Sequence, residues 1–246
     1  MTLKIQRLDW DSEFFGFGVG RLSGSLESAA ALSRTLRDAT EYGIVLVYGQ
    51  CAHVDLVSHQ LCLESGGRFV DAKRRYTLPL ADVHPVGEVG AQPADAGPYS
   101  RRQLRTLAWQ SAEFSRYRID PDMPPGAWRR LYSSWIANSL NGKLADAVLV
   151  EREASSEGGR IAAMVTVSHR GTQGAIGLFA VDARWRRRGI GRRLLEAAAA
   201  QCRTTGCTEL AVVTQGDNDA ACRAYESAGY ALVDEQHIFH FWSHRP

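Results

Sequence analysis

Residues 181–195, VDARWRRRGIGRRLL, constrain the fold more than any other stretch of the chain. An apolar strand end leads into a basic turn with Gly189 and Gly191, and the turn opens a helix. Glycines let backbone N–H groups approach phosphate oxygens, and a helix start adds unpaired donors and a positive dipole end. Five arginines add attraction for a polyanion: Arg186, Arg187, Arg188, Arg192 and Arg193. The order strand, Arg-x-x-Gly-x-Gly, helix therefore predicts a pyrophosphate-binding loop, although an arginine-rich surface helix after a glycine turn is an alternative.

A second pattern follows in residues 214–230, TQGDNDAACRAYESAGY, which predicts a helix capped by Asn218. Helical spacing places Ala221 and Tyr225 on the same face as this cap. A well-capped helix with a core tyrosine would also produce the pattern. A phenol has a pKa of about 10, so Tyr225 starts protonated at neutral pH and could protonate a departing thiolate.

Together the two patterns resemble the motifs of the GCN5-related N-acetyltransferases (GNAT). Arg186, Gly189 and Gly191 match the Arg/Gln-x-x-Gly-x-Gly/Ala loop, and Asn218, Ala221 and Tyr225 match the second motif. The resemblance implies acetyl-CoA as the bound pyrophosphate, Tyr225 as general acid and Asn218 as a cofactor contact. The expected cofactor-binding residues are Phe179, Ala180, Val181, Arg186, Arg187, Arg188, Gly189, Ile190, Gly191, Arg192 and Asn218.

Strand and helix patterns alternate along the 246 residues, which predicts an α/β fold. Residues 1–80 are predicted to form a smaller α/β domain, with an aromatic bend at 10–17, helices at 27–41 and 54–65, and strands at 5–8, near 19, at 44–48, around 69 and at 76–80. Glycine, proline and alanine at 81–98 indicate a linker or the first strand of a second domain. Residues 81–246 are predicted to form the transferase domain, with a mixed, mostly antiparallel central sheet. Its expected elements are helices at 99–110, 127–140, 190–202 and 218–228, an irregular segment at 115–126, and strands at 147–152, 160–169, 175–181, 209–214, 230–233 and 237–242.

Three further segments narrow the resemblance: residues 10–16 (WDSEFFG), 115–118 (SRYR) and 131–143 (LYSSWIANSLNGK). With the two motifs they resemble the bacterial nucleotide-sugar N-acetyltransferases that act on dTDP-4-amino-4,6-dideoxygalactose. The resemblance implies a dTDP-amino sugar as acceptor and a homodimer. Arg116 and Arg118 could pair with its diphosphate, and Phe114 or Tyr117 could stack on its base. An exposed basic loop is equally consistent with the segment, and the alternatives are a peptide amine, a small-molecule amine or a non-catalytic CoA-binding module.

The catalytic base is not evident from the sequence. The strand at 175–181 contains no carboxylate or histidine, so a water chain is expected to remove the proton. His169, His237 and His240 are assigned structural roles. The five cysteines are odd in number and lack a Cys-x-x-Cys spacing, which predicts no metal site and a reducing cytoplasm. A net charge of +2 argues against a nucleic-acid partner, and neither a signal peptide nor a membrane-length apolar run is evident.

Overall fold

The computed structural model describes residues 2–80, 91–94, 98–153 and 159–243. Its strands are β1 (Lys4–Arg7), β2 (Gly18–Ser23), β3 (Ile44–Ala52), β4 (Arg68–Pro79), β5 (Gln92–Pro93), β6 (Ala147–Arg152), β7 (Ile161–Arg170), β8 (Gln173–Val181), β9 (Glu209–Gln215) and β10 (Ala231–Trp242). Its helices are α1 (Asp9–Phe15), α2 (Ala29–Glu41), α3 (Leu56–Glu64), α4 (Pro98–Ser111), α5 (Arg116–Ile119), α6 (Ala127–Leu140), α7 (Ile190–Thr204) and α8 (Asp219–Ser227), with a 3₁₀ turn at Ala183–Trp185. None of these described helices has the length and apolar character needed to cross a membrane.

The described strands form a ten-stranded sheet in the order β1-β2-β3-β10-β4-β9-β8-β7-β6-β5. The pairs β2–β3 and β8–β9 are parallel, and the other neighbouring pairs are antiparallel. The prediction of a mixed, mostly antiparallel sheet is therefore confirmed. Strand β4 lies between β9 and β10, so the first 80 residues contribute a strand to the middle of the sheet. The division into two domains after residue 80 stays a prediction.

Helices cover both faces of this sheet. On β3, Leu46 and Tyr48 pack with α1, α4 and α6, while Val47 between them packs with α2 and α3. Because side chains alternate along a strand, these two groups of helices lie on opposite faces. Helix α7 has the apolar face that the sequence predicted, with its periodic positions all buried in a third cluster: Ile190, Leu194, Leu195, Ala198 and Cys202.

Four sequence predictions of local structure were wrong. Residues 10–17 do not form a bend throughout, because α1 occupies most of them. The Ser12 hydroxyl ties this helix to β2 by donating to the Leu8 carbonyl at 2.7 Å and accepting from the Val19 amide at 2.9 Å. The irregular segment at 115–126 begins with the short helix α5, which the Ser115 hydroxyl caps.

The pairs of strands predicted around residues 69 and 76–80, and at 230–233 and 237–242, are in each case one long strand, β4 and β10. Each of these long strands has polar residues in its middle, which in the sequence resemble an interruption between two shorter strands. They instead pair across the two strands, with Arg74 donating to Glu235 at 2.7 Å. In the predicted linker, β5 pairs with β6 as a short strand, and residues 81–90 and 95–97 lie outside the described part of the chain.

Candidate active site

A cleft of about 750 Å³ lies where β8 and β9 diverge. The two strands pair in parallel only from Gln173 to Ile176 and from Glu209 to Val212. Both continue beyond this register, and their last residues line the cleft. A bulge in β8 at Gly177 and Leu178, opposite Thr166 of β7, lies at the divergence, and the Thr166 hydroxyl accepts a hydrogen bond from the Leu178 amide at 2.7 Å. The backbone of β8 beyond Ile176 is thus available to a ligand that enters between the strands.

The basic turn predicted to bind pyrophosphate borders this cleft. Asp182 fixes its start by accepting from the Arg184 amide at 3.1 Å and pairing with the Arg184 guanidinium at 2.6 Å. The hydrogen bonds from Arg184 lower the pKa of Asp182 to about 2. Gly189 then adopts a φ of +73° and begins α7, and no side chain caps the helix there. The amides of the first turn of α7 are therefore free to meet an anion.

The arginines of the turn divide into two groups. Arg186 and Arg187 line the cleft together with Gly189, Ile190 and Gly191. Arg188 instead lies over the Trp185 ring at 4.7 Å, and Arg192 pairs with Glu196 at 2.9 Å. Neither Arg188 nor Arg192 belongs to the cleft lining in the described part of the chain. The other predicted cofactor residues, Phe179, Ala180, Val181 and Asn218, do line it.

Tyr225 lies on α8 and lines the same cleft. The Asn218 side chain caps this helix as predicted, accepting from the Ala221 amide at 3.2 Å. Tyr225 is 3% exposed, and its ring packs between Phe179 and Tyr76, with centroids 5.9 and 5.8 Å away. Burial raises the pKa of Tyr225 above its ordinary value. The phenol therefore keeps its proton at neutral pH and is available as a donor.

Asp71 and Lys73 of β4 also line the cleft, and the sequence analysis did not identify either residue. Asp71 is half-buried, and its Oδ1 atom is buried without a hydrogen-bond partner among the described residues. Burial, assisted by Asp217, raises the pKa of Asp71 to about 7, although Arg116 and Lys73 oppose the shift. A carboxylate with this pKa and a free oxygen is suited to accept a proton near neutral pH.

Three of the four predicted acceptor residues line the cleft: Phe114, Arg116 and Tyr117. The Arg116 guanidinium lies over the rings of Tyr48 and Tyr117 at 4.6 and 4.8 Å, and donates to the Tyr117 hydroxyl at 2.8 Å. Arg118 is not part of the described lining, because its guanidinium lies over Trp128 at 4.9 Å. Tyr132 and Trp135 of α6 complete this end of the cleft.

The two ends of the cleft therefore have different chemistry. One end offers free backbone amides, Arg186 and Arg187 to a pyrophosphate, and the divergent strands offer an extended channel beside it. The other end offers aromatic rings, a carboxylate and the cations of Lys73 and Arg116 to an acceptor. Tyr225 also lies on the lining, so the residues fit a nucleotide thioester such as acetyl-CoA together with a second, polar substrate.

Comparison with known proteins agrees with this geometry. The chain is 28% identical over 226 residues to the dTDP-fucosamine acetyltransferase of Escherichia coli O6:H1, covering 92% of each chain. It is 26% identical over 224 residues to the spore coat polysaccharide biosynthesis protein SpsD of Bacillus subtilis strain 168, covering 89% of this chain and 74% of the relative. A crystal structure of a GCN5-related N-acetyltransferase from Sphaerobacter thermophilus has the same fold, with a TM-score of 0.65 at 17% identity, covering 100% of this chain and 78% of that one.

The family model described as the acetyltransferase (GNAT) family matches residues 103–230, which include the divergent strands β8 and β9 and the helices α7 and α8. The fold and the acyltransferase class expected from the sequence are thereby confirmed. The chain belongs to the acetyltransferase (GNAT) family.

Proposed function

We propose that the protein transfers the acetyl group of acetyl-CoA to the amine of a nucleotide-activated amino-deoxy sugar, with a dTDP-sugar as the preferred acceptor. The main support is the acceptor end of the cleft, where Asp71 lies among cations and aromatic rings and its Oδ1 atom has no hydrogen-bond partner in the described part of the chain. The amine would meet the carboxylate, a diphosphate would meet Lys73 or Arg116, and a base would stack on a ring. The names of two relatives, which refer to a dTDP-sugar and to polysaccharide biosynthesis, support this class of acceptor.

In the proposed reaction Asp71 and Tyr225 move protons at opposite ends of one displacement. Asp71 accepts a proton from the ammonium group of the acceptor, and the freed nitrogen attacks the thioester carbonyl. The carbon–sulfur bond breaks as Tyr225 donates its proton to the leaving sulfur. The remaining extra proton on nitrogen returns to the tyrosinate, and Asp71 later releases its proton to solvent. Asp71 thus takes the place of the water chain that the sequence suggested.

The test of the acceptor class compares substrates on the purified protein. Release of the CoA thiol is measured with dTDP-4-amino-4,6-dideoxygalactose, with a peptide α-amine, with a lysine peptide and with a polyamine, and the products are identified by mass spectrometry. The proposal expects kcat/KM for the dTDP-amino sugar to exceed the others by at least about 100-fold. Turnover confined to peptides or polyamines would replace the acceptor class, and CoA binding without turnover on any amine would favour a binding module.

The role of Tyr225 is tested by Tyr225→Phe with Tyr230→Phe as its matched control. Tyr230 is also buried and packs against Tyr225 at 5.8 Å, yet it does not line the described cleft. Tyr225→Phe is expected to lower kcat by about 10²- to 10⁴-fold and to leave the Kd for acetyl-CoA unchanged. Tyr230→Phe should keep kcat within about twofold of the wild type. Equal turnover in both variants would remove Tyr225 as the acid.

The expected homodimer and cytoplasmic location remain proposals alongside the acceptor.

A further inference from the structure

Three residues that bind metals well meet outside the cleft. Cys51 of β3 and His237 of β10 are direct neighbours in the strand register, and His59 of α3 lies against them. One ligand atom from each residue lies within 4.8 Å of the other two. The Nδ1 atoms of His59 and His237 are 2.8 Å apart. Three separate elements thus direct a thiol and two imidazole nitrogens toward one point.

The protonation states of this cluster suit a cation. Two imidazole nitrogens at this distance can share a single proton, and a second proton between them would be repelled. An imidazole nitrogen that carries no proton keeps a lone pair for a cation, and a cysteine thiol binds a cation once its proton is displaced.

Helix α3 has few other anchors. Among its nine residues only Cys62 is buried, and Leu56 and Val57 are 72% and 71% exposed. The His59 ring also contacts the Phe69 ring at a tilted angle and the Phe239 ring edge-on, with centroids 5.7 and 5.0 Å away. A bond from His59 to a cation held by Cys51 and His237 would fasten the helix to the sheet.

We propose that Cys51, His59 and His237 bind one Zn²⁺ ion, which ties α3 to β3 and β10. A thiolate with two imidazoles is a donor set that Zn²⁺ favours over Mg²⁺ or Ca²⁺. With Zn–N near 2.0–2.1 Å, tetrahedral ligands lie about 3.3 Å apart, so the two histidine nitrogens must separate by about 0.5 Å. Binding forms one Zn–S and two Zn–N bonds, releases the Cys51 proton, and leaves a fourth position for a solvent molecule. The proton shared by the two Nδ1 atoms moves through solvent to the Nε2 atom of the ring that carried it.

This site is separate from the acetyl-transfer cleft, since none of its three residues appears among the described residues that line the cleft. It also departs from the sequence expectation of no metal site. The ligands lie at positions 51, 59 and 237, and no short spacing motif could have joined them.

The test uses the full-length protein after treatment with a chelator. Zn²⁺ binding is measured by calorimetry and by elemental analysis after gel filtration, and Co²⁺ is added separately as a spectroscopic probe. The proposal expects one Zn²⁺ per chain and, with Co²⁺, the visible bands of a tetrahedral site with thiolate charge transfer. At 100-fold excess over Kd, Zn²⁺ should raise Tm by about 5 to 10 °C.

Two pairs of variants distinguish this site from adventitious binding. Cys51→Ala and His59→Ala should each lower the affinity for Zn²⁺ by at least about 10-fold, and Cys51→Ala should abolish the thiolate band of the Co²⁺ form. Cys62→Ala removes another buried thiol of the same core cluster, and His169→Ala removes a histidine of the β7–β8 turn. Both controls should bind like the wild type. Less than 0.2 Zn²⁺ per wild-type chain, or equal loss in the Cys62 control, would overturn the proposal.

His59 lies on the half-buried side of α3, so His59→Ala keeps the test decisive if Cys51→Ala does not fold.

Discussion

Replacing Asp71 with asparagine is expected to slow acetyl transfer and, at the same time, to make the protein more stable at alkaline pH. The carboxylate is half-buried with a free oxygen, and its pKa is raised to about 7. A group held in this way is useful for accepting a proton but is costly to keep ionised. Asparagine has nearly the same shape, carries no charge and cannot act as a base.

The size of the stability effect follows from the pKa shift. An unfolded aspartate has a pKa of about 3.9, so folded Asp71 binds a proton more tightly than the unfolded chain does. Its contribution to the free energy of unfolding is therefore undiminished below about pH 4 and is lost as the pH rises through about 7. From the difference of about three pKa units, ionised Asp71 costs up to about 4 kcal/mol, of which about 2.5 kcal/mol appears between pH 5 and pH 8.

Urea unfolding of the wild type and Asp71→Asn at pH 5 and pH 8 measures this term directly. Between pH 5 and pH 8 the free energy of unfolding of the wild type should fall by up to about 2.5 kcal/mol more than that of the variant. In a thiol-release assay, kcat/KM of the wild type should rise with pH to a plateau above about 7. In the variant this rise of kcat/KM with pH should be absent, and the rate should be about 10²- to 10⁴-fold lower. An identical pH dependence of stability in both proteins, or an unchanged rate profile, would refute the reasoning.

Other parts of the structure give three further expectations. Lys73→Met should raise the KM for the acceptor about 10-fold and leave the KM for acetyl-CoA unchanged. The exposed control Lys143→Met should change neither KM. A change in the KM for acetyl-CoA alone would contradict the assignment of Lys73 to the acceptor end of the cleft. Gly189→Ala forces a φ of +73° on an alanine, so calorimetry should show weaker acetyl-CoA binding and urea unfolding a loss of about 1 kcal/mol. His240→Ala removes a donor 2.6 Å from the fully buried carboxylate of Asp120, and urea unfolding should show a loss of about 3 to 5 kcal/mol; a loss below about 1 kcal/mol would contradict this account.

The cofactor end of the cleft was accessible from the sequence because its determinants are local. Gly189 and Gly191 lie within one turn, and the Asn218 cap and Tyr225 lie on one helix. Periodicity and capping chemistry act over such distances, and the structure agrees with them on the burial of α7 and on the cap of α8.

At the acceptor end, Phe114, Arg116 and Tyr117 were identified from the sequence, whereas Asp71 and Lys73 were not, because strand pairing joins residues far apart in the chain. Asp71 enters the cleft only because β4 pairs with β9 and β10, from which it is separated by more than 130 residues. A carboxylate and an ammonium at alternate positions of a long strand, Asp71 and Lys73, were the only local signal. Arg118 shows that sequence proximity can also mislead. Its neighbours Arg116 and Tyr117 line the cleft, but the Arg118 guanidinium lies over Trp128 and is not part of the described lining.

The position of β4 between β9 and β10 has a consequence for altering this protein. A fragment that began after residue 80 would leave β10 without either of its partner strands and β9 without one of its two, and would lack the Asp71 carboxylate of the cleft. The pairing of β4 with β9 and β10 therefore both holds the sheet together and positions Asp71 and Lys73 in the cleft. Designers who wish to redirect this enzyme to another amine can vary position 73, but must retain Asp71 and the neighbouring β4 residues that pair with β9 and β10.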